Sequence, residues 1–352
     1  MQNAPQISCW FLVVGLAAAV AVAHEGHDHE PTTSVQTAFS ADPKPGAVTG
    51  SGDFVFRYNA ELSALPAEIA AGIKDAHGGF AKGPDGAVYF GLVRTGVIRI
   101  APDLKHKTLL SKTKAVVTGA LHNTTYVADA EGDYLVLSDP ELGDVDFIRT
   151  DGSDIGTLGK PASVDGAYRP TDADVASNGL LYVCDGYGST KQILTADPKA
   201  LAYGPLAFGG PAGKGRTPGK FSTNHGVTFD PTDDTLLIAD RERQWVQRLS
   251  LSGEFIEAYD LEGGNPCDVD FVEVGGERLM IVGCLVGDNE PGLVQILRDG
   301  RVVATLRPAV DLGLDVFRHI HNAAGIVVEG KLYVLCYGWN PGCFAVLEAV
   351  SR

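Results

Sequence analysis

The chain has 352 residues, of which 44 are acidic and 28 basic, giving a formal net charge of −16. This excess of negative charge argues against nucleic acid and anionic membrane surfaces as partners, because both would repel the protein. The high content of glycine (43) and proline (19) without a low-complexity period is typical of a turn-rich, all-β protein.

The first 23 residues carry no charged side chain and include an apolar run from Phe11 to Ala23. The run ends in Ala21-Val22-Ala23, a small-x-small pattern typical of cleavage after a secretory signal peptide. A membrane anchor is the alternative, but the run is shorter than the roughly 20 residues that a membrane span needs. We therefore expect residues 1–23 to be a signal peptide, the protein to be secreted or periplasmic, and no membrane attachment to remain after cleavage.

The segment predicted to follow, residues 24–52, is histidine-rich at its start and has the composition of a flexible linker thereafter. It opens with HEGHDHEP, in which His24, His27 and His29 stand among carboxylates. Such groups can capture zinc or copper, although tracts of this kind are more often metal scavengers or solvated tails. We predict that the folded domain spans residues 53–352.

One pattern recurs six times in that domain: a polar or glycine turn, four or five apolar residues, then Gly, Asp or Cys. The copies are DGAVYFG (85–91), GDYLVLSD (132–139), NGLLYVCDG (178–186), DTLLIADR (234–241), ERLMIVGC (277–284) and GKLYVLCYG (330–338). Equivalent positions are 44 to 55 residues apart, close to the roughly 40–50 residues of a four-stranded propeller blade. The sequence therefore predicts an all-β fold, a six-bladed β-propeller.

The two ends of the domain are predicted to close the ring. Residues 53–58 alternate between apolar and polar and are suited to pair with the last strand, residues 344–347. A closed ring leaves no long exposed sheet edge. Five cysteines follow the signal peptide, and an odd number leaves at least one thiol free or paired between chains. Cys336 and Cys343 flank a tight turn and are candidates to close a small loop, whereas burial as small apolar residues explains the strand cysteines equally well.

Four histidines share one position of the repeat. His77, His225 and His321 lie 12 residues before the centre of their blade's apolar run, and His122 lies 13 before. The first strand of a blade is innermost, so these side chains should converge at one mouth of the axial channel. His122, His225 and His321 come from blades two, four and six, a threefold arrangement. Three neutral imidazoles with an open fourth position suit a catalytic zinc ion, so we predict a central metal site.

The remaining histidines are interpreted differently. His77 is the surplus member of the register, and a role beside a ligand or against the substrate is favoured over ligation. His319 is expected to lie off the axis. The alternative for the whole set is that they are isolated polar residues at strand starts.

Two sets of residues resemble known families. The run Gly215, Pro218-Gly219-Lys220-Phe221, His225-Gly226-Val227, Asp230 and Leu237-Ile238-Ala239-Asp240-Arg241 resembles the NHL-type six-bladed propellers. Within that group, Asp185-Gly186-Tyr187, His225 38 residues after the tyrosine, and Ala239-Asp240-Arg241 resemble the peptidyl-α-hydroxyglycine α-amidating lyase (peptidylamidoglycolate lyase) family. The resemblance spans blades two to six.

This resemblance implies a zinc ion held by His122, His225 and His321. It also implies a structural calcium ion as a further candidate. It implies that Tyr187 is the catalytic base. Arginines of that family hold the substrate carboxylate, a role that falls on Arg241 and on Arg94 in blade one.

The sequence departs from the family at two positions. Asn322 stands where the family has an acidic residue, and Gly188 stands where it has a cysteine. The first departure places the proton-transfer network in question. It leaves Asn322, like His77, as a candidate extra ligand or neighbour of the metal.

The function implied is that of an exported metal-dependent lyase. It would cleave the C–N bond of an α-hydroxyglycine-type carboxylate and release glyoxylate and an amide. A metal suits the developing aldehyde oxygen, and an arginine fork suits the carboxylate. A non-catalytic metal- or partner-binding propeller is one alternative. A lactonase-type hydrolase is another, although such enzymes typically hold their metal with Glu, Asn and Asp.

Overall fold

Six antiparallel sheets arranged as consecutive blades account for the strands of the structure, which confirms the predicted six-bladed β-propeller. The structure is a computed structural model that describes residues 42–110, 120–261, 263–287, 290–339 and 342–350. The predicted signal peptide and the tail histidines His24, His27 and His29 lie outside the described residues. No helix within the described ranges is long and apolar enough to cross a bilayer.

The chain enters the fold through two short strands and two short helices. These are β1 (Thr49–Ser51), β2 (Phe54–Tyr58), α1 (Ala60–Ser63) and α2 (Ala67–Ala70). Blade one is β3 (Ala76–Lys82), β4 (Val88–Leu92), β5 (Gly96–Ile100) and β6 (Lys107–Leu109). Blade two is β7 (Asn123–Val127), β8 (Tyr134–Asp139), β9 (Asp144–Arg149) and β10 (Asp154–Leu158). Blade three is β11 (Asp172–Val175), β12 (Leu181–Cys184), β13 (Gln192–Asp197) and β14 (Ala202–Gly209).

The later blades follow the same order. Blade four is β15 (Asn224–Asp230), β16 (Thr235–Asp240), β17 (Trp245–Ser250) and β18 (Phe255–Asp260), with a 3-10 helix, Arg241–Arg243, between β16 and β17. Blade five is β19 (Asn265–Val274), β20 (Glu277–Leu285), β21 (Leu293–Arg298) and β22 (Arg301–Leu306), followed by helix α3 (Pro308–Leu312). Blade six contains β23 (Ile320–Val328), β24 (Lys331–Gly338) and β25 (Cys343–Ala349).

The six repeated apolar runs are the second strands of the blades. Strands β4, β8, β12 and β16 are buried along their whole length. Each lies between two neighbouring blades, so both of its faces are covered and its sequence is continuously apolar rather than alternating. The outer strand β14, in contrast, is largely exposed. The repeat was detectable because the most buried strand of each blade has this continuous pattern.

The hydrophobic core consists of six wedges, one between each pair of adjacent blades. The first strands of successive blades contact one another around the axis, and β23 contacts β3. The ring is therefore closed on its inner side, and the starts of the six first strands face a common axis. The five described cysteines are buried and unpaired, so Cys336 and Cys343 do not close the small loop considered from the sequence.

The predicted closure by the terminal strands is confirmed. Strand β2 pairs with β25, with Arg57 opposite Glu348 and Tyr58 opposite Leu347. The boundary placed after residue 52 is too late, however, because β1 pairs with β2 as the outermost strand of blade six. The Thr49 hydroxyl donates to Asp311 at 2.7 Å, which fixes β1 to helix α3. Three residues in a glycine-rich stretch give no alternation from which such a strand can be predicted.

Removing the aromatic ring of Phe56 should weaken this closure. Phe56 is fully buried between blades five and six, and a Phe→Ala change at such a site typically costs about 3–5 kcal/mol. We expect Phe56→Ala to lower the free energy of unfolding in urea by that amount. Arg57→Ala is the matched control, because its exposed ion pair with Glu348 is worth at most about 1 kcal/mol. Equal losses from the two variants would contradict the packing described.

Candidate metal centre and catalytic site

The start of each inner strand contributes one residue to the same level of the axis. In blades four, five and six this residue lies at a β-bulge, where the pairing register shifts across His225, Cys267 and His321. A bulge leaves its residue out of the ladder and re-aims the side chain. In blades two and three the corresponding residues are His122 and Thr171, whose backbone N–H groups bond to the second strand.

Four imidazoles meet at this level, as the shared sequence register predicted. Their rings are fully buried or nearly so. Ring centroids are 4.5 Å apart for His122 and His225, 4.8 Å for His225 and His321, and 4.7 Å for His122 and His321. His77 lies 4.7 Å from His122 and 4.4 Å from His321 by the same measure. The fourth histidine is therefore as close to the cluster as the other three are to one another.

Backbone carbonyls orient two of the rings. Nδ1 of His122 lies 2.6 Å from the carbonyl oxygen of Thr171, and Nδ1 of His225 lies 2.7 Å from that of Cys267. A carbonyl can only accept, so each Nδ1 carries the hydrogen and each neutral ring keeps a lone pair on Nε2. Metal-binding histidines are typically held in this way.

His321 is oriented by a tyrosine. The Tyr337 hydroxyl donates to the backbone carbonyl of His77 at 2.8 Å and lies 2.8 Å from Nδ1 of His321. Its single hydrogen is used, so Nδ1 of His321 is the donor and Nε2 again keeps the lone pair. That Nε2 is buried and has no hydrogen-bond partner among the described residues. Burial and then the neighbouring histidines lower the pKa of His321 well below its usual range, so the ring is neutral near pH 7.

Tyr187 and Arg241, both assigned from the sequence, lie beside these rings. The Tyr187 hydroxyl is 2.9 Å from Nε2 of His225 and 3.2 Å from Nε2 of His122. Nη1 of Arg241 donates to the Tyr187 oxygen at 2.8 Å, while Nε and Nη2 donate to Glu242. Burial raises the pKa of Tyr187, and the Arg241 cation opposes that shift. The arrangement links a carboxylate, a guanidinium and a phenol to two ring nitrogens.

Three residues near the site were not predicted. Arg169 lies with its guanidinium carbon 5.9 Å from the centre of the Tyr187 ring. Lys191 is partly buried nearby; burial lowers its pKa, and the Arg241 and Arg169 cations act in the same direction. Trp339 lies 5.5 Å from His77, ring to ring. Trp339 follows the second strand of its blade, as Tyr187 does. A search for aromatic residues at this turn of each blade would therefore have predicted it.

Two predicted site residues, Arg94 and Asn322, are not members of the imidazole cluster. Arg94 is exposed in the β4–β5 turn, with φ at 57°, and makes no hydrogen bond or ion pair with the described residues. Asn322 donates to the Asp268 carboxylate at 2.8 Å. The side-chain amides of Asn123 and Asn322 pack closely against Gly79. A Cβ added to Gly79 would lie only 2.4 Å from the Asn123 amide oxygen and 2.9 Å from the Asn322 amide nitrogen. Asn322 therefore belongs to a layer of amides and carboxylates next to the imidazoles.

Carboxylates from blades three and five join the inner strands of neighbouring blades around the axis. Asp172 accepts from the backbone N–H of Val227 at 2.8 Å, and Asp270 accepts from that of Gly325 at 2.8 Å. These backbone groups lie on the next blade, where no sheet ladder supplies a partner. The carboxylates thus hold adjacent blades in register around the site.

Comparisons with known proteins establish the fold class. No protein-family model matches the sequence, and no curated protein matches it. A streptogramin B lyase structure is similar with a TM-score of 0.50 at 10% identity, over 86% of this chain and 98% of that one. A candidate gluconolactonase has a TM-score of 0.52 at 18% identity, over 84% and 98%. A nidogen/laminin complex has a TM-score of 0.50 at 16% identity, over 75% and 94%. At these identities the likeness shows the six-bladed β-propeller.

Asp174 should make the stability depend on pH. It accepts from the Phe229 N–H, but burial raises its pKa to about 7, compared with about 3.9 in an unfolded chain. Between these values the folded state binds a proton that the unfolded state lacks, so this group's contribution to stability falls as the pH rises from about 4 to about 7. Asparagine cannot ionise. The unfolding free energy of Asp174→Asn relative to wild type should therefore increase between pH 5 and pH 8 in urea titrations, and a constant difference would contradict the assignment.

Proposed function

We propose that the axial site binds a zinc or related transition-metal ion and that the protein is an exported lyase. The reaction would cleave the C–N bond of an α-hydroxyglycine-type carboxylate and release glyoxylate and an amide. The observation that carries this proposal is the placement of the Tyr187 hydroxyl against Nε2 of His122 and His225, with Arg241 donating to the same oxygen.

The donor set fits a metal ion. His122, His225 and His321 would hold it through Nε2, because each ring donates through Nδ1 to a fixed acceptor. The buried Nε2 of His321, unpartnered among the described residues, is an orphaned acceptor of the kind that a metal satisfies. When bound, a Lewis-acidic ion would polarise the substrate oxygen that becomes the aldehyde. The structural calcium ion that the family resemblance implied is not part of the proposal. The axial carboxylates of Asp172 and Asp270 already accept hydrogen bonds from backbone N–H groups.

The reaction requires one net proton transfer within the substrate. The carbinol oxygen loses its proton, the C–N bond breaks with its electron pair moving to nitrogen, and the amide nitrogen gains a proton. The Tyr187 oxygen is suited to carry this proton, taking it from the hydroxyl as a phenolate and returning it to nitrogen. Arg241 would stabilise the phenolate by its N–H donation, which opposes but does not cancel the rise in the pKa of the tyrosine that burial causes.

The charges around Tyr187 suit an anionic substrate. Arg241 and Arg169 both lie near its ring, with guanidinium carbons 5.3 Å and 5.9 Å from the ring centre, and Lys191 is close to both cations. This concentration of positive charge stands out in a chain of net charge −16. Arginine binds carboxylates through paired N–H groups, so Arg169 would orient the substrate carboxylate, with Arg241 and Lys191 adding to the positive charge around it.

A lactonase-type hydrolase is the second candidate, favoured by the structural likeness to a candidate gluconolactonase. Polarisation of a lactone carbonyl would use the same position beside the imidazoles. The histidine-rich donor set favours the lyase over this candidate, since lactonases of this fold typically use Glu, Asn and Asp ligands. A non-catalytic, metal-binding propeller would retain the metal and show neither activity.

The metal should be lost when any one proposed ligand is removed. In a full-length chain with His24, His27 and His29 replaced by alanine, we expect one tightly bound metal per chain, measured by elemental analysis after dialysis. His122→Ala, His225→Ala or His321→Ala in this background should each remove it. His106→Ala is the control, because that ring is exposed and paired with Asp103. Loss of all metal on removal of the tail histidines alone would place the metal in the tail instead.

Glyoxylate release should depend on the Tyr187 hydroxyl. We expect the metal-loaded protein to release glyoxylate from α-hydroxyhippurate, and chelation to abolish the reaction. Tyr187→Phe should lower turnover by roughly 10²–10⁴, the usual effect of losing a general base, with metal content unchanged. Tyr182→Phe is a matched control, since this buried tyrosine bonds to Asn178 and Leu251 away from the site. Equal activity of Tyr187→Phe and wild type would rule out the proposed role, and lactone hydrolysis without glyoxylate release would favour the hydrolase.

A further inference from the structure

We propose that His77 is a fourth ligand, so that the site presents four imidazoles to a divalent transition-metal ion with more than four coordination positions. This inference rests on the metal site proposed above and extends it in ligand number and metal class. It does not depend on the lyase reaction.

The geometry places His77 inside the donor set. The ligand atoms of His77, His122 and His321 all lie within 4.8 Å of one another, the grouping of possible metal ligands found among the described residues. Two imidazoles on one ion are separated by at most about 4.2 Å, twice a metal–nitrogen distance of about 2.1 Å. Three ligand atoms spaced evenly in a plane around such an ion lie about 3.6 Å apart, so inward shifts of up to about 0.7 Å per ring would allow these three to share an ion. His225 adjoins the same His122–His321 edge, so the four rings form two triangles with a common side.

The surroundings of His77 orient it as a ligand is oriented. Its ring hydrogen-bonds to the backbone of Leu121, which precedes the first strand of blade two. His122 bonds in the same way to Thr171 at the start of blade three. The Tyr337 hydroxyl binds the His77 carbonyl and the His321 ring at the same time, which fixes the spacing of these two residues. Such hydrogen bonds to the groups around ligands are what hold imidazoles on a metal.

The nearby His319 provides a contrast. It is buried and packs against Trp339, with ring centres 5.1 Å apart, and Trp339 in turn packs against His77. Among the described residues the group whose ligand atoms lie within 4.8 Å contains His77, His122 and His321 but neither His319 nor His225, although the His225 ring contacts those of His122 and His321. His319 therefore has the burial and the aromatic neighbour of His77 without its position at the axis.

The ligand number limits the metal. Four imidazoles complete a tetrahedral zinc site and leave no position for a substrate. A reactive site with this donor set needs an ion that accepts five or six ligands. Imidazole suits iron, copper and nickel as well as zinc. Cobalt(II) serves as the probe, because its visible spectrum depends on the number of ligands. The remaining positions would lie towards the His122–His225 edge, where the Tyr187 hydroxyl is placed.

The test counts imidazoles on cobalt(II) in the full-length chain lacking the three tail histidines. X-ray absorption should show four imidazoles per cobalt. The visible spectrum should show the weak absorption of a five- or six-coordinate cobalt(II) ion. His77→Ala should give three imidazoles and lose more than about 100-fold in cobalt affinity, beyond the roughly 10–100-fold of a residue that only orients a ligand. Added free imidazole should restore the wild-type spectrum. His319→Ala should leave the spectrum and the imidazole count unchanged.

An unchanged imidazole count in His77→Ala would overturn the proposal and leave a three-histidine site. His77→Gln provides a second variant if the alanine protein does not fold, with circular dichroism as the folding check, and an unchanged count there would be equally decisive. A wild-type protein that binds no cobalt would overturn both this inference and the proposed metal site. Four imidazoles without glyoxylate release would support this inference while the lyase reaction failed.

Discussion

The hydrogen bonds that tie the imidazole rings to neighbouring blades are the constraint on which the site depends. His122 and His225 each donate from Nδ1 to a backbone carbonyl at the start of the next blade. These bonds determine the tautomer, because a carbonyl cannot donate, and they fix the ring plane. The blades are in turn held at their spacing by the closed ring of inner strands. At the proposed metal site, metal affinity and ring closure would therefore be coupled: a change that separates two blades would also turn an imidazole away from the axis.

The fold was predictable because burial leaves a distinct mark on the second strand of every blade. Runs such as that ending at Cys184 are apolar on both faces, since each is covered by two blades. The histidine register followed from these runs, because the first strand of each blade lies at a nearly constant distance before them. Strand β1 was missed, because Thr49–Ser51 has no periodicity and its position depends on Asp311, distant in sequence.

The site was only partly predictable, and the reason is again physical. The register predicted the position of His77, which was interpreted as the surplus member beside three ligands; its ring lies as close to His122 and His321 as those two rings lie to each other. Tyr337 was not predicted as a site residue, because a continuously apolar strand gives no sign that the hydroxyl of one of its residues bonds to the His321 ring and to the His77 carbonyl. Arg94 was placed by resemblance alone, and no contact of the described residues supports it. Arg169 was not predicted, because it lies in a loop that has no repeated sequence pattern.

The position of Arg241 changes the division of labour that the sequence suggested. Two of its nitrogens donate to Glu242 and a third donates to Tyr187, and the residue is almost fully buried. A guanidinium committed in this way has few N–H groups left for a substrate carboxylate, but it is well placed to stabilise a phenolate. In the proposed reaction the substrate carboxylate would then be bound by Arg169, which approaches the same tyrosine ring from a partly exposed position. Glu242 balances the charge of Arg241 when Tyr187 is neutral, so in the proposed reaction a deprotonated tyrosine would be stabilised without an unpaired buried cation in the resting state.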